Sequence, residues 1–171
     1  MKLLHLSKRF FGSLVPLNPR AVDDRWAREQ FLEGEAVLWR KMSRADRRHS
    51  VGVARRVESA LGAEATRPVL AAALLHDVGK IDSRLGTPLR VVATLSAAVA
   101  GREMAEVWVQ ATGVTRRIGL YLLHPSIGGD LLGMAGSDPF TETWAREHHL
   151  PPDDCSLPSH LANALREADD D

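Results

Sequence analysis

The sequence predicts an all-α, single-domain helical bundle on three observations. Apolar residues recur at three- and four-residue spacing, strand-like alternation is scarce, and Gly or Pro marks the ends of the periodic segments. A chain of 171 residues, 44% of them hydrophobic, can bury one sizeable core, and a second full domain is not expected. Residues 1–42 read as a helical extension packed on the domain formed by residues 43–171.

The elements follow in order. A first helix is expected over about 23–42, carrying Trp26, Phe31, Leu38 and Trp39, with Gly34 weakening its middle. A second starts near Ser43, which has Asp46 at capping-box spacing, and ends at Gly62 as a C-cap. A third covers about 68–78 with Pro68 in its first turn, and a fourth runs from Thr87-Pro88 towards Trp108. Further helices are expected over about 115–123, 125–135, 138–149 and from Ser159 to the C-terminus, with "LPPDDCSLPS" as the loop before the last.

Charge and cysteine content exclude several classes of function. Lys+Arg and Asp+Glu both number 22, so no global basic field recruits nucleic acid. The single cysteine, Cys155, permits no internal disulfide and no multi-thiolate metal site, so a metal centre would rest on His and Asp. No run of about 18 apolar residues is present, so no transmembrane helix is expected. "MKLLHLSKRFFGSLVPLNPR" has a basic start but is interrupted by His5, Lys8 and Arg9 and lacks a small-residue cleavage site. It reads as a docking arm for the domain or for a second subunit; attachment to a membrane surface is the minor alternative, and the cytoplasm is the expected location.

Helical spacing places polar residues on apolar stripes, because residues four apart share a face. His49 continues Val53, Val57 and Leu61; His148 continues Phe140 and Trp144; Asp169 continues Leu161 and Leu165, with Asp170 and Asp171 turned away. "LLHDVGKID" puts His76 and Asp77 at the end of an apolar run. His124 precedes Pro125, and a residue before proline avoids the α region, which sets it at a helix boundary. Burying an imidazole or carboxylate without partners costs several kcal/mol. A lone inward His is commonly a hydrogen-bonded core residue, but a cluster of His and Asp on inward faces is what a metal site in a helical bundle requires. Asp169 is awkward without a cation nearby, since it stands with two more aspartates at the negative end of a helix dipole.

The ordered pattern of His49, the pair His76-Asp77 and a distal Asp169 resembles the HD-domain metal-dependent phosphohydrolases, and "LLHDVGK" is similar to their central motif. The resemblance covers about residues 43–169 and implies a helical bundle of the HD-domain type. "HPSIGGDLL", opening with His124, and "REHH", ending with His148 and His149, resemble the extra histidine segments of the two-metal members. The cyclic-dinucleotide branch of those members follows its paired histidines with a Glu and a Gly-Tyr-Pro signature. This chain reads "HHLPPDDCSLPS" there, so that activity is not implied.

The resemblance assigns His49, His76, Asp77 and Asp169 to a first divalent metal. It makes Asp77 the bridge to a second, held by His124, His148 and, as a further candidate, His149. Two cations about 3.5–4 Å apart acidify a shared water. Imidazole and carboxylate donors suit Fe, Mn, Zn, Ni and Co alike, and one or two ions are open. Asp77 and Lys80 are the candidate catalytic residues; Lys80 either faces phosphoryl charge, if the helix continues through Gly79, or is a lysine at a helix C-terminus. Arg116 and Arg117 read as a solvated basic face rather than phosphate ligands, and His5 and His160 as surface residues. The implied activity is hydrolysis of a phosphoester of a nucleotide or related small phosphate. The alternative is a non-catalytic regulatory or ligand-binding module that keeps the metal site. Assembly into a homo-oligomer is left open.

Overall fold

The computed structural model describes residues 21–100 and 104–170, and among these the secondary structure is entirely helical. The N-terminal basic segment with His5, the middle of the expected fourth helix and Asp171 lie outside the described residues. Eleven α-helices are described: α1 (Ala21–Glu29), α2 (Glu33–Lys41), α3 (Arg44–Leu61), α4 (Arg67–Leu75), α5 (Lys80–Ser83), α6 (Thr87–Ala100), α7 (Met104–Val109), α8 (Gly113–Leu122), α9 (His124–Met134), α10 (Pro139–Glu147) and α11 (Ser159–Asp170). No described helix is long and apolar enough to cross a membrane.

Local signals set most of these ends. The Ser43 hydroxyl accepts the Asp46 N–H at 3.1 Å, the Asp138 carboxylate accepts the Phe140 N–H at 2.8 Å, and Gly62 closes α3 at φ +53°. The first expected helix is instead two. Leu32 adopts an extended conformation and donates its N–H to the Glu35 carboxylate at 2.7 Å, which restarts the helix as α2. Gly34 has a packing reason: a Cβ there would stand 2.3 Å from the Ala135 carbonyl oxygen, so only glycine lets α2 approach the end of α9.

One apolar core joins Ala27, Leu38 and Trp39 from α1 and α2 to Val53 and Val57 of α3, the α4 run Val69 to Leu75, Trp144 of α10 and Leu165 of α11. The helix α4 is buried along nearly its whole length, as a run of RPVLAAALL composition requires. Around it, α3, α10 and α11 bring their apolar stripes inward, which is what carries His49, His148 and Asp169 to one place. Cys155 is half-buried and free.

The short helix α5 and the start of α6 are tied to α3 by one side chain. Arg90 donates from Nη1 and Nη2 to the two Asp46 carboxylate oxygens at 2.5 and 2.8 Å, and from Nε to the Leu85 carbonyl at 3.0 Å. Burial opposes ionisation of Asp46, but the Arg90 hydrogen bonds and the Lys80 charge outweigh it and hold the carboxyl below its usual range. A folded-state pKa below the unfolded value means that this pair contributes its full stability above about pH 4 and loses it as the pH falls through the folded pKa. Asp46→Asn should therefore destabilise the fold by about 2 kcal/mol at neutral pH, with the difference from wild type shrinking below about pH 4. Denaturant unfolding of both proteins across that range measures it; a gap independent of pH would contradict the ion pair.

Candidate metal centre

Three histidines stand at or just beyond helix ends. His76 follows α4, His148 follows α10, and His124 lies two residues beyond α8 and opens α9. The last carbonyls of a helix have no partner within it, and each of these rings uses one. His76 Nδ1 donates to the Ala73 carbonyl at 2.9 Å, His124 Nδ1 to that of Tyr121 at 2.7 Å, and His148 Nδ1 to that of Ala145 at 2.9 Å. A carbonyl only accepts, so Nδ1 carries the proton in all three, and in the neutral ring the lone pair is on Nε2. Those three Nε2 atoms are buried and have no hydrogen-bond partner. An outer hydrogen bond that fixes the tautomer while the inner nitrogen stays bare is the arrangement found around metal-ligating histidines.

The bare nitrogens converge on Asp77. Its Oδ2 lies 3.5 Å from His76 Nε2 and accepts a short hydrogen bond from Lys80 Nζ, while its Oδ1 lies 3.3 Å from His124 Nε2 and 3.9 Å from His148 Nε2. The carboxylate thus divides its two oxygens between two imidazole sets. On the first side, His49 Nε2 and Asp169 Oδ1 are 2.8 Å apart, and the same oxygen is 3.5 Å from His76 Nε2. On the second, the His149 ring lies 4.0 Å from that of His148 and 5.2 Å from that of His124, centroid to centroid. Two ligand groups result, His49–His76–Asp77 and His124–His148–His149, each with one donor atom per residue within 4.8 Å of the others. Distances of this order, and donors of these types, fit a first-row divalent cation in each group.

Electrostatics differ between the two sides of Asp77, favouring positive charge at His76 and opposing it at His124 and His148. Burial opposes ionisation of Asp77, yet Lys80, His76 and His124 hold its carboxyl well below the usual range. Burial also disfavours the His76 imidazolium, but the carboxylates of Asp77 and Asp169 outweigh it and raise its pKa to about 9. His124 and His148 are shifted the other way: burial lowers both, and the neighbouring His149 and His76 depress His148 further. Neutral imidazoles are the form that ligates, so burial keeps His124 and His148 ready as donors, whereas His76 has to release its Nε2 proton to a bound cation.

Every expected ligand is brought to this place: His49, His76, Asp77, His124, His148, His149 and Asp169. Several local expectations change. The third helix stops at Leu75 instead of running to 78, and residues 76–79 form a tight turn before α5. The cause is at Gly79, where a Cβ would lie 2.1 Å from the His124 carbonyl oxygen and 2.6 Å from the Gly128 nitrogen. The turn therefore packs directly on the backbone of α9. Lys80 consequently reaches Asp77 across the turn rather than along a helix face. The seventh helix likewise ends at Glu147, leaving His148 and His149 beyond it. Of the two arginines, Arg116 is exposed, whereas Arg117 is half-buried and donates from Nε to the Ser83 carbonyl at 2.9 Å, tying α8 to α5. His160 is exposed and pairs with Glu64.

Sequence reasoning missed Tyr121, whose carbonyl orients His124 and whose ring stacks on the same imidazole at 5.6 Å with a 29° interplanar angle. Its position three residues before a histidine at a helix boundary was the available signal.

Gly79→Ala should force the turn away from α9, so it is expected to weaken metal binding to the His124 group about 10- to 100-fold, as loss of ligand orientation commonly does. Calorimetric titration with zinc measures it, and wild-type affinity at both groups would contradict the close approach. Comparison with protein-family models, with curated proteins and with solved structures finds no match, so the donor geometry is what the functional reading rests on.

Proposed function

We propose that the chain is a metal-dependent phosphohydrolase of the HD-domain type, acting on a phosphoester of a nucleotide or related small phosphate. The observation that carries this is the convergence of three bare Nε2 atoms, those of His76, His124 and His148, on a carboxylate whose two oxygens face different imidazole sets. When bound, divalent cations supply Lewis acidity towards a water and a phosphoryl oxygen. The chain's own residues do the rest. Asp77 spaces the two ligand groups, the helix-end carbonyls keep the rings in the ligating tautomer, and the apolar packing around α4 limits water access. Lys80 is nearly buried and is the cation nearest the bridging carboxylate, so it is the residue suited to offset charge that builds on a phosphoryl group.

A second reading, a binding or regulatory module that keeps the metals, is favoured by one feature. The Lys80 ammonium is committed to Asp77, and burial notwithstanding, that carboxylate raises its pKa. A cation held in this way can serve to position Asp77 alone.

Lys80→Ala separates the two. For a hydrolase, turnover of a phosphoester should fall about 10²- to 10³-fold, while metal is retained or held more tightly because a competitor for Asp77 Oδ2 has gone. Assays across nucleotides and cyclic nucleotides with Mn, Fe, Co or Zn provide the measurement. Absence of turnover in the wild type across that set, together with ligand-dependent thermal stabilisation, would favour the binding module.

A further inference from the structure

The last turn of α11 carries Asp169 and the negative end of a helix dipole, with Asp170 beside it. A carboxylate is unfavourable there, and the final carbonyls of the helix lack partners within it. Left to itself such a turn frays. The ligand oxygen of Asp169 must nevertheless be held 2.8 Å from His49 Nε2 and 3.5 Å from His76 Nε2.

Arg56 resolves this conflict. It donates from Nε at 2.9 Å and from Nη2 at 2.7 Å to the same acceptor, the carbonyl of Ala168, the residue directly before Asp169. Arg56 stands seven residues after His49 on α3, almost two full turns, so both project from one face towards α11. Ala168 is 5% exposed, so the paired hydrogen bonds form against a buried carbonyl, and a guanidinium at the negative end of the dipole offsets the clustered aspartates.

We infer that Arg56 is a positioning residue for the first metal group: by clamping the Ala168 carbonyl it fixes the last turn of α11 and aims Asp169 at His49 and His76. The inference rests on the metal-centre reading above, and its effect is confined to one of the two ligand groups. Arg56 is not itself a ligand.

The test is manganese titration of the full chain, with binding counted by equilibrium dialysis. Arg56→Met should weaken the His49–His76–Asp77–Asp169 group about 10- to 100-fold, the usual effect of removing an outer-shell support, and leave the His124–His148–His149 group at wild-type affinity. In an Asp169→Ala background the same substitution should have no further effect, because the residue it positions is gone. His160→Ala, which removes the exposed pair to Glu64 at the other end of α11, should leave both groups unchanged. Should Arg56→Met not fold, Arg56→Gln, which keeps a single donor, is taken through the same cycle with the same two outcomes. Undiminished affinity, or an equal loss with and without Asp169, would overturn the role of Arg56 while leaving the metal centre standing. Failure of the wild type to bind manganese, zinc or cobalt at all would overturn the metal centre, and Arg56 with it.

Discussion

A carboxylate buried among helices must be compensated or it neutralises, and Asp77 is such a carboxylate. Its side chain is 4% exposed, and it stands against one ammonium and three imidazoles rather than against water. Desolvation of an ion costs several kcal/mol even after relaxation, and the surroundings answer it with the Lys80 ammonium, which donates to Asp77 directly, and with imidazole nitrogens that could hold a cation beside it. Lys80 comes from the turn that holds Asp77, His76 from the residue before, His124 from the start of α9, and His148 from the end of α10. Their placement follows from a common device, a histidine set just beyond a helix whose unpaired carbonyl fixes the outer ring nitrogen.

The same constraint explains where small residues fall. The turn at 76–79 can bring Asp77 close to His124 only because Gly79 and Gly128 let two backbones touch; an added Cβ at Gly128 would lie 3.2 Å from the Gly79 nitrogen. Gly129 continues the pattern, since a Cβ there would meet the Arg146 side chain at 2.3 Å. Arg146 of α10 reaches across to Asp130 of α9 at 2.9 Å while Glu142 on its own helix holds the guanidinium at 2.9 Å, and so it braces α9 against α10, the element that opens with His124 and the one that His148 follows. Rigidity around the donors is thus supplied by backbone contact and an arginine brace, with the apolar core beneath.

Much of this was legible in the sequence, for identifiable reasons. The stripes ending in His49, His148 and Asp169 carry a strong helical period, and a polar residue at the end of such a stripe is conspicuous against apolar neighbours. The pre-proline position of His124 and the apolar run before His76-Asp77 were equally readable. What escaped depends on tertiary contact. The stop of α4 at Leu75 is dictated by α9 pressing on Gly79, and the break between α1 and α2 by Glu35 capturing the Leu32 N–H while Gly34 meets Ala135; neither partner is near in sequence in the first case, and burial selects the break in the second. Arg56 and Arg90 carry no sequence signal of their roles, because their partners, Ala168 and Asp46, are 112 and 44 residues away.

The central claim is that the bare Nε2 atoms of His76, His124 and His148 are metal donors on either side of Asp77. A crystal structure of the zinc-loaded protein, phased on the zinc anomalous signal, tests it most directly. The expected result is one zinc bonded to His76 Nε2 and a second bonded to the Nε2 atoms of His124 and His148, each bond about 2.0–2.1 Å long, with Asp77 between the two ions. Zinc bound elsewhere, with these three nitrogens uncoordinated and their rings hydrogen-bonded as an ordinary polar core, would contradict it.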